Sequence, residues 1–366
     1  MSVKISIIVF NFNGRGVERS QVRMADYYSN NGDLVDVVCF QDKGVFKRDL
    51  PENVNIHCLN ANTSKQGVIS LIKYFWKEKP EIVISAQDNI NVSVLLARLF
   101  CPWDFKVSVS CRVSPKLWAE KPNVMSKNWL TKYLVQFLYP IASQRIMLST
   151  EMANDYTKLF GLPLSSLKVI YNPVLKSKNC NNEALVEHPW LIEPSKKVVL
   201  AAGNISWIKG FDTLIKSIAL LDKRLDIHLV ILGEGPLLDS LQSLTMELGL
   251  CERVDFAGFH TNTMDFMKAA DLFVLSSLSE GFGNVLVEAI GSGCPVIATR
   301  CGGGAVEIME DGRLGPVIPI SDEFEMAKAI ESTIDNPIDK QILLNSAKRF
   351  YIDNICEQYL SGLINR

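Results

Sequence analysis

Two glutamates, Glu280 and Glu288, stand eight residues apart in SLSEGFGNVLVEAIGSGCPVIAT, residues 277–299. Between them lie a GFGN turn and an apolar run. Carboxylates accept paired hydroxyl donors well, so two of them around one turn suit a polyhydroxylated ligand. The preceding DLFVLSS reads as a buried strand and VLVEAI as the start of a helix, with Asn284 in the position of an N-cap. Glu280 then falls in the turn just outside the helix, and Glu288 about one turn inside it. Free N–H groups and the positive dipole end at such a helix start suit phosphate oxygens. Either glutamate alone would be explained by the helix dipole, which favours acids there by about 0.3–1 kcal/mol. The case for a site rests on the company they keep.

That company is three further glycine turns, AAGNISWIKGF, LGEGP and TRCGGGAVE, each read as following a strand. Glycine at a strand end lets backbone approach a ligand closely, and ligands of α/β domains gather at the C-terminal ends of the strands. Lys209, in the first of these turns, supplies a cation. Four such turns together point to a nucleotide.

The elements that must position these residues follow from length and periodicity. A chain of 366 residues exceeds one ordinary core, and two domains of about 150–200 residues are expected. In the first half KISIIVF, LVDVVCF, EIVISA, KVSVS and RIMLS read as strands, alternating with helical stretches such as GVERSQVRMADYYSNNG and VISLIKYFWKEK. After VIYNPV, the stretch LKSKNCNNEALVEHPWLIEPSKK loses periodicity and reads as a linker. A second set follows: KVVLAAGN, IHLVILGEG, RVDFAGF, DLFVLSS and PVIATR, with FDTLIKSIALLDK and PLLDSLQSLTMELG as helices between them. Alternation of this kind gives parallel sheets with helices on both faces. The expected division is an N-terminal domain over 1–173, a second domain over 174–344, and a terminal amphipathic helix over 345–366 that packs back on the first domain.

Composition narrows the class. Nine cysteines without a CxxC pair fit reduced thiols rather than a disulfide framework or zinc site. The four histidines, His57, His188, His228 and His260, are scattered, so no metal site is expected. The N-terminal apolar run leads into a glycine turn and reads as a strand, not a signal peptide. No apolar run reaches the ~18 residues of a spanning helix, and a cytoplasmic location is expected. The net charge of −2 is unevenly placed: residues 1–173 hold 21 Lys/Arg against 14 Asp/Glu, giving +7, and the remainder is −9. The two halves are therefore expected to face different partners; nucleic acid is not among them.

These residues carry a resemblance. The block ADLFVLSSLSEGFGNVLVEAIGSGCPVIAT, with Gly203…Lys209-Gly210, Gly233-Glu234-Gly235-Pro236 and Gly303-Gly304-Ala305-Val306-Glu307, resembles the donor domain of retaining family 4 glycosyltransferases of the GT-B fold. It covers most of residues 195–320. Gly14-Arg15-Gly16-Val17-Glu18-Arg19 is similar to that family's first-strand turn. The fold implied is α/β, GT-B: two Rossmann-like, doubly wound parallel-sheet domains with a cleft between them. The resemblance implies that Lys209 contacts the donor diphosphate, Glu288 the ribose and Glu280 the donor sugar. Gly281, Phe282, Gly283, Asn284 and Val285 would line the sugar and phosphate. Gly203, Asn204, Gly233, Gly235, Phe259 and His260 complete the candidate donor site, and Gly14 and Gly16 make room for the diphosphate from across the cleft. Asn204 stands where the family commonly has Arg, and SVSCRVSP where it often has His. Arg112 is therefore the candidate second cation, against the alternative of a surface arginine at a strand end; Cys111 beside it reads as a small filler.

The reaction implied is transfer of a hexose or N-acetylhexosamine from a nucleotide diphosphate sugar to a hydroxyl of a saccharide acceptor. UDP is favoured over GDP-mannose, the anomeric configuration is retained, and the acceptor is lipid-linked or a cell-surface polysaccharide precursor. Catalysis rests on Glu280, Lys209 and Arg112; with no DxD motif, no metal or other cofactor is expected. Two other readings stay open: a two-domain NAD enzyme, although NFNGRGVE lacks GxGxxG, and a two-lobed nucleotide-binding protein. Residues 101–150 carry seven Lys/Arg, among them Lys116, Lys121, Lys127 and Lys132, interleaved with Trp103, Trp118, Trp129, Tyr133, Phe137 and Tyr139. That mixture suits an anionic membrane surface as well as a core helix with solvated lysines.

Overall fold

The computed structural model describes residues 2–13, 16–119, 126–177, 186, 188–222 and 225–364. The chain divides into two compact units, one of Met1–Val174 with Phe350–Arg366 and one of Leu175–Arg349.

The first unit is built on seven strands: β1 Lys4–Val9, β2 Leu34–Cys39, β3 Asn55–Cys58, β4 Ile82–Ala86, β5 Lys106–Cys111, β6 Gln144–Met147 and β7 Lys168–Val169. They form one parallel sheet in the order β3-β2-β1-β4-β5-β6-β7. The central strands are buried on both faces, which is why they read as continuous apolar runs. Alternate residues Ile5, Ile7 and Val9 join Val35 and Val37 in one core. Val22, Ala25 and Tyr28 of the helix Gly16–Asn30 cover it. The C-terminal helix Ile352–Ser361 adds Ile355, Cys356 and Tyr359 to the same core, and the Tyr28 hydroxyl donates to the Cys356 carbonyl at 3.0 Å.

The second unit has six strands: β8 Lys197–Ala202, β9 Ile227–Leu232, β10 Val254–Gly258, β11 Leu272–Leu275, β12 Val296–Thr299 and β13 Val317–Ile318. Their order is β10-β9-β8-β11-β12-β13, again all parallel. Each sheet starts in the middle, winds one way and then the other. The direction in which strands are added reverses between β8 and β11, the place where doubly wound domains hold their ligands. Val199, Leu229 and Ile231 pack beneath Leu214, Ile215 and Ile218 of the helix Phe211–Leu220 and Met326 and Ile330 of the helix Glu323–Asp335.

Two sequence readings are corrected. The terminal segment is not one helix: Lys340–Ala347 belongs to the second unit, and Tyr351 is extended (φ −68°, ψ 139°) before Ile352–Ser361 begins. Phe350 at the break packs on Tyr171 with ring centroids 5.2 Å apart and the rings tilted by 48°, where the chain enters the first unit. Strands β3, β7 and β13 were absent from the sequence reading; they are short edge strands, β3 and β7 with largely exposed residues.

Candidate functional site

The turn after β11 and the turn after β8 meet at the switch point of the second sheet. The β8 strand ends at Ala202, and the chain passes through Gly203 and Asn204 into a short 3-10 turn, Trp207–Lys209. Three hydrogen bonds stitch it to the β11 turn. The Leu278 N–H donates to the Ile208 carbonyl (2.8 Å), the Ser276 hydroxyl to the Lys209 carbonyl (2.8 Å), and the Lys209 ammonium to Glu280 Oε1 (2.6 Å). The Ser277 hydroxyl donates to the same carboxylate oxygen at 2.6 Å. Ser276 and Ser277 are almost fully buried. The Lys209 and Glu280 side chains are 18% and 13% exposed, so this is a mostly enclosed ion pair, not a surface contact. The lysine passes close over Gly203, where a Cβ would stand 3.0 Å from Lys209 Cε.

The helix behind the turn runs Asn284–Ser292. Its cap is Gly283, at φ 102°, and Asn284 is the first helical residue rather than the N-cap. The left-handed backbone at that point favours glycine, so the sequence reading was one residue late. Glu288 follows in the second turn and is buried, between Val287 and Ala289, which are both fully buried. Phe282 is buried, Gly281 and Val285 are partly exposed, and burial pushes the neighbouring Cys301 thiol up to about 12, with the Glu280 charge adding to it.

The glycines of the second turn have a different reason from the one their sequence suggested. A Cβ on Gly233 would lie 1.9 Å from the Gly203 carbonyl oxygen, and one on Gly235 2.3 Å from that of Ile205. They are required because the β8 and β9 turns pack backbone to backbone, with the Ile205 N–H donating to the Glu234 carbonyl. Asn204 is exposed, as is Phe259; the His260 ring pairs with the Ala257 carbonyl at 3.0 Å and leans on Phe266.

The remaining candidates lie in the first unit. Gly16 opens its first helix; Gly14 lies outside the described residues. Arg112 follows β5 and is only 4% exposed, which rules out the surface-arginine alternative. Its Nη2 donates to the Tyr359 hydroxyl at 3.2 Å, and Nε and Nη1 are buried without a hydrogen-bond partner, so the guanidinium is enclosed rather than turned to solvent. The strand end that carries it is fixed by a buried polar network. Asp88 Oδ1 accepts from the Tyr139 and Tyr156 hydroxyls at 2.5 and 2.7 Å and from the Cys111 thiol at 3.6 Å. Burial pushes the Asp88 carboxyl up against the pull of those donors, and it also pushes the Cys111 thiol well above its ordinary value; Cys111 is fully buried and packs as a thiol.

Among the described residues one group could hold a metal: Asp36, His57 and Glu78, with ligand atoms within 4.8 Å of one another. The Lys4 ammonium already supplies the positive charge there, 2.8 Å from Glu78 and 3.6 Å from Asp36.

The sequence reading missed Ser276, Ser277 and Thr299, which hold the β11 turn in place. Thr299 bonds the Leu275 and Ser277 carbonyls across from β12. The only local signal was the Ser-x-x-Glu spacing of Ser277 and Glu280.

Residues 14–176 match the family model described as Glycosyltransferase Family 4, and residues 186–350 that described as Glycosyl transferases group 1. The chain is 27% identical over 356 residues, 94% of each chain, to the N-acetylgalactosamine-N,N'-diacetylbacillosaminyl-diphospho-undecaprenol 4-alpha-N-acetylgalactosaminyltransferase of Campylobacter jejuni. It is 23% identical, over 98% of this chain and 97% of the relative, to the GalNAc-alpha-(1->4)-GalNAc-alpha-(1->3)-diNAcBac-PP-undecaprenol alpha-1,4-N-acetyl-D-galactosaminyltransferase of the same organism. Among solved structures, Anabaena Alr3699/HepE in complex with UDP superposes with a TM-score of 0.78 at 22% identity, covering 98% of this chain and 99% of that one.

Proposed function

The chain belongs to glycosyltransferase family 4 and has the GT-B fold, and from that premise we propose that it is a retaining, metal-independent transferase moving a hexose or N-acetylhexosamine from a UDP-sugar to a hydroxyl of a lipid-linked saccharide. The observation that carries this reading is the Lys209–Glu280 pair at the switch point of the second sheet, beside the start of the helix Asn284–Ser292. A cation, a carboxylate and the N-terminal end of a helix are the groups that a diphosphate bonded to a sugar needs. The lipid-linked acceptor is supported by the undecaprenol-linked substrates named for the two Campylobacter relatives.

In this reading the acceptor oxygen attacks the anomeric carbon from the face that the diphosphate leaves. The bond from that carbon to the diphosphate oxygen breaks, and the acceptor proton passes to the departing phosphate. Lys209 and the backbone N–H groups at the helix start stabilise charge that develops on the diphosphate. Glu280 accepts from sugar hydroxyls and Glu288 from the ribose. Arg112, the second cation of this reading, lies buried after β5 with Nε and Nη1 without a hydrogen-bond partner. A thermal-shift panel of UDP, GDP, ADP and NAD tests the reading. UDP should raise the melting temperature most; a shift with NAD alone would favour the dehydrogenase alternative, and no shift with any nucleotide diphosphate would remove the transferase site.

The acceptor side draws on the first unit. No helix among the described residues is long and apolar enough to cross a membrane. On the helix Lys127–Leu138, however, Leu130, Tyr133 and Phe137 are 39%, 42% and 71% exposed at helical spacing, and Ile141 follows at 44%. The lysines expected to carry membrane attraction are less available. Lys116 is paired with Glu151 and Asp155, and Lys132 donates to the Ala119 carbonyl. Lys121 and the side chains of Trp118 and Lys127 lie outside the described residues. The reading of a peripheral protein at the cytoplasmic membrane face therefore leans on the apolar stripe. Burying one such aromatic in lipid is worth about 1.5–3 kcal/mol. Phe137→Glu should lower co-sedimentation with phosphatidylglycerol vesicles about tenfold or more, whereas Lys116→Glu should change it little. Equal recovery of wild type and Phe137→Glu in the pellet would assign the stripe another role.

A further inference from the structure

We infer that the Lys209–Glu280 pair discriminates between the intact nucleotide sugar and the spent nucleotide diphosphate, and so promotes product release. The inference rests on the nucleotide-sugar reading above and adds a role that neither residue has alone. The pair is built, not incidental. Both side chains are mostly enclosed, and the turns that carry them are tied together by the Leu278 N–H to the Ile208 carbonyl and the Ser276 hydroxyl to the Lys209 carbonyl. Ser277 adds a second donor to the same Glu280 oxygen, so the carboxylate is satisfied before any ligand arrives.

A diphosphate entering this site draws the Lys209 ammonium away from Glu280. An enclosed carboxylate stripped of its counter-charge is strongly unfavourable. An intact donor offsets this, because its sugar hydroxyls donate to Glu280 in place of the ammonium. A nucleotide diphosphate without the sugar brings two or three negative charges and no hydroxyl to that position. It must either leave Lys209 partly engaged elsewhere or leave Glu280 unpaired beside a like charge. Both outcomes weaken the product relative to the donor, and they arise only after the sugar has left. The Lys209–Glu280 contact is thus a gauge of whether the sugar is present.

The test is UDP binding measured by calorimetry on the full chain. Glu280→Gln keeps the size and removes the charge, so Lys209 is free for phosphate. UDP should bind at least fivefold more tightly than to wild type, although Glu280→Gln transfers sugar more slowly. Ser277→Ala, which leaves the charge in place, should keep the UDP dissociation constant within about twofold of wild type. Should Glu280→Gln fail to fold, Glu280→Ala carries the same expectation for UDP. Unchanged or weaker UDP binding by the Glu280 variants overturns the inference while leaving the nucleotide site standing. Absence of UDP binding by the wild type sinks the nucleotide reading itself.

Discussion

Replacing Lys209 by alanine is expected to reduce sugar transfer by about 10²–10³-fold, the range for removing one preorganised donor from a charge developing in the transition state. The effect should fall on kcat more than on donor affinity, since the leaving diphosphate gains its charge only as the bond breaks. A loss of fold has to be separated from a loss of chemistry. Lys209→Ala leaves Glu280 in its enclosed position with Ser277 as its named donor, so the single variant should also melt at a lower temperature. Adding Glu280→Gln removes the uncompensated charge. The double variant should recover the melting temperature and remain inactive. A lysine that merely decorated the loop before Gly210 would give under twofold in kcat, and the double variant would then be no slower than Glu280→Gln alone. The same assay in EDTA tests metal independence: transfer should persist, and a loss restored by Mg²⁺ or Mn²⁺ would move charge stabilisation from Lys209 to a metal.

The pairing behind this prediction could not be read from local sequence, for a physical reason. Lys209 and Glu280 are 71 positions apart, and they meet only because β8 and β11 are neighbours across the switch point. Each strand was legible by itself, because burial on both faces demands an unbroken apolar run such as LFVL. Their adjacency is a property of sheet order, which periodicity does not encode. The same limit explains β3, β7 and β13. Edge strands of two to four residues need little apolar patterning, and their pairing comes from the neighbour. At Gly283 the signal was present and misread: an asparagine suits a cap, but the left-handed backbone required there made the preceding glycine the cap. Arg112 shows the opposite failure. Its strand end was located correctly, yet its burial depends on Tyr359, 247 positions away in the C-terminal helix.

Glu288→Ala is expected to weaken UDP binding by roughly 1.5–3 kcal/mol, the usual worth of a hydrogen bond to a charged group, or about 10–150-fold in dissociation constant. The position supports the size of the effect. Glu288 is 6% exposed, on a helix whose Leu286, Val287, Ala289 and Ile290 are fully buried. Alanine is a good helix former at that site, so the backbone should persist, and the loss should come from the carboxylate. In this reading the carboxylate also accepts from the ribose hydroxyls, in addition to what holds it within the fold. Binding of 2′-deoxy-UDP separates a ribose contact from a general loss of charge or packing. Wild type should bind 2′-deoxy-UDP several-fold more weakly than UDP, whereas Glu288→Ala should bind the two alike, because the acceptor for that hydroxyl is gone. An undiminished preference for UDP in the variant would show that Glu288 acts through the packing of its helix and that the ribose is read elsewhere.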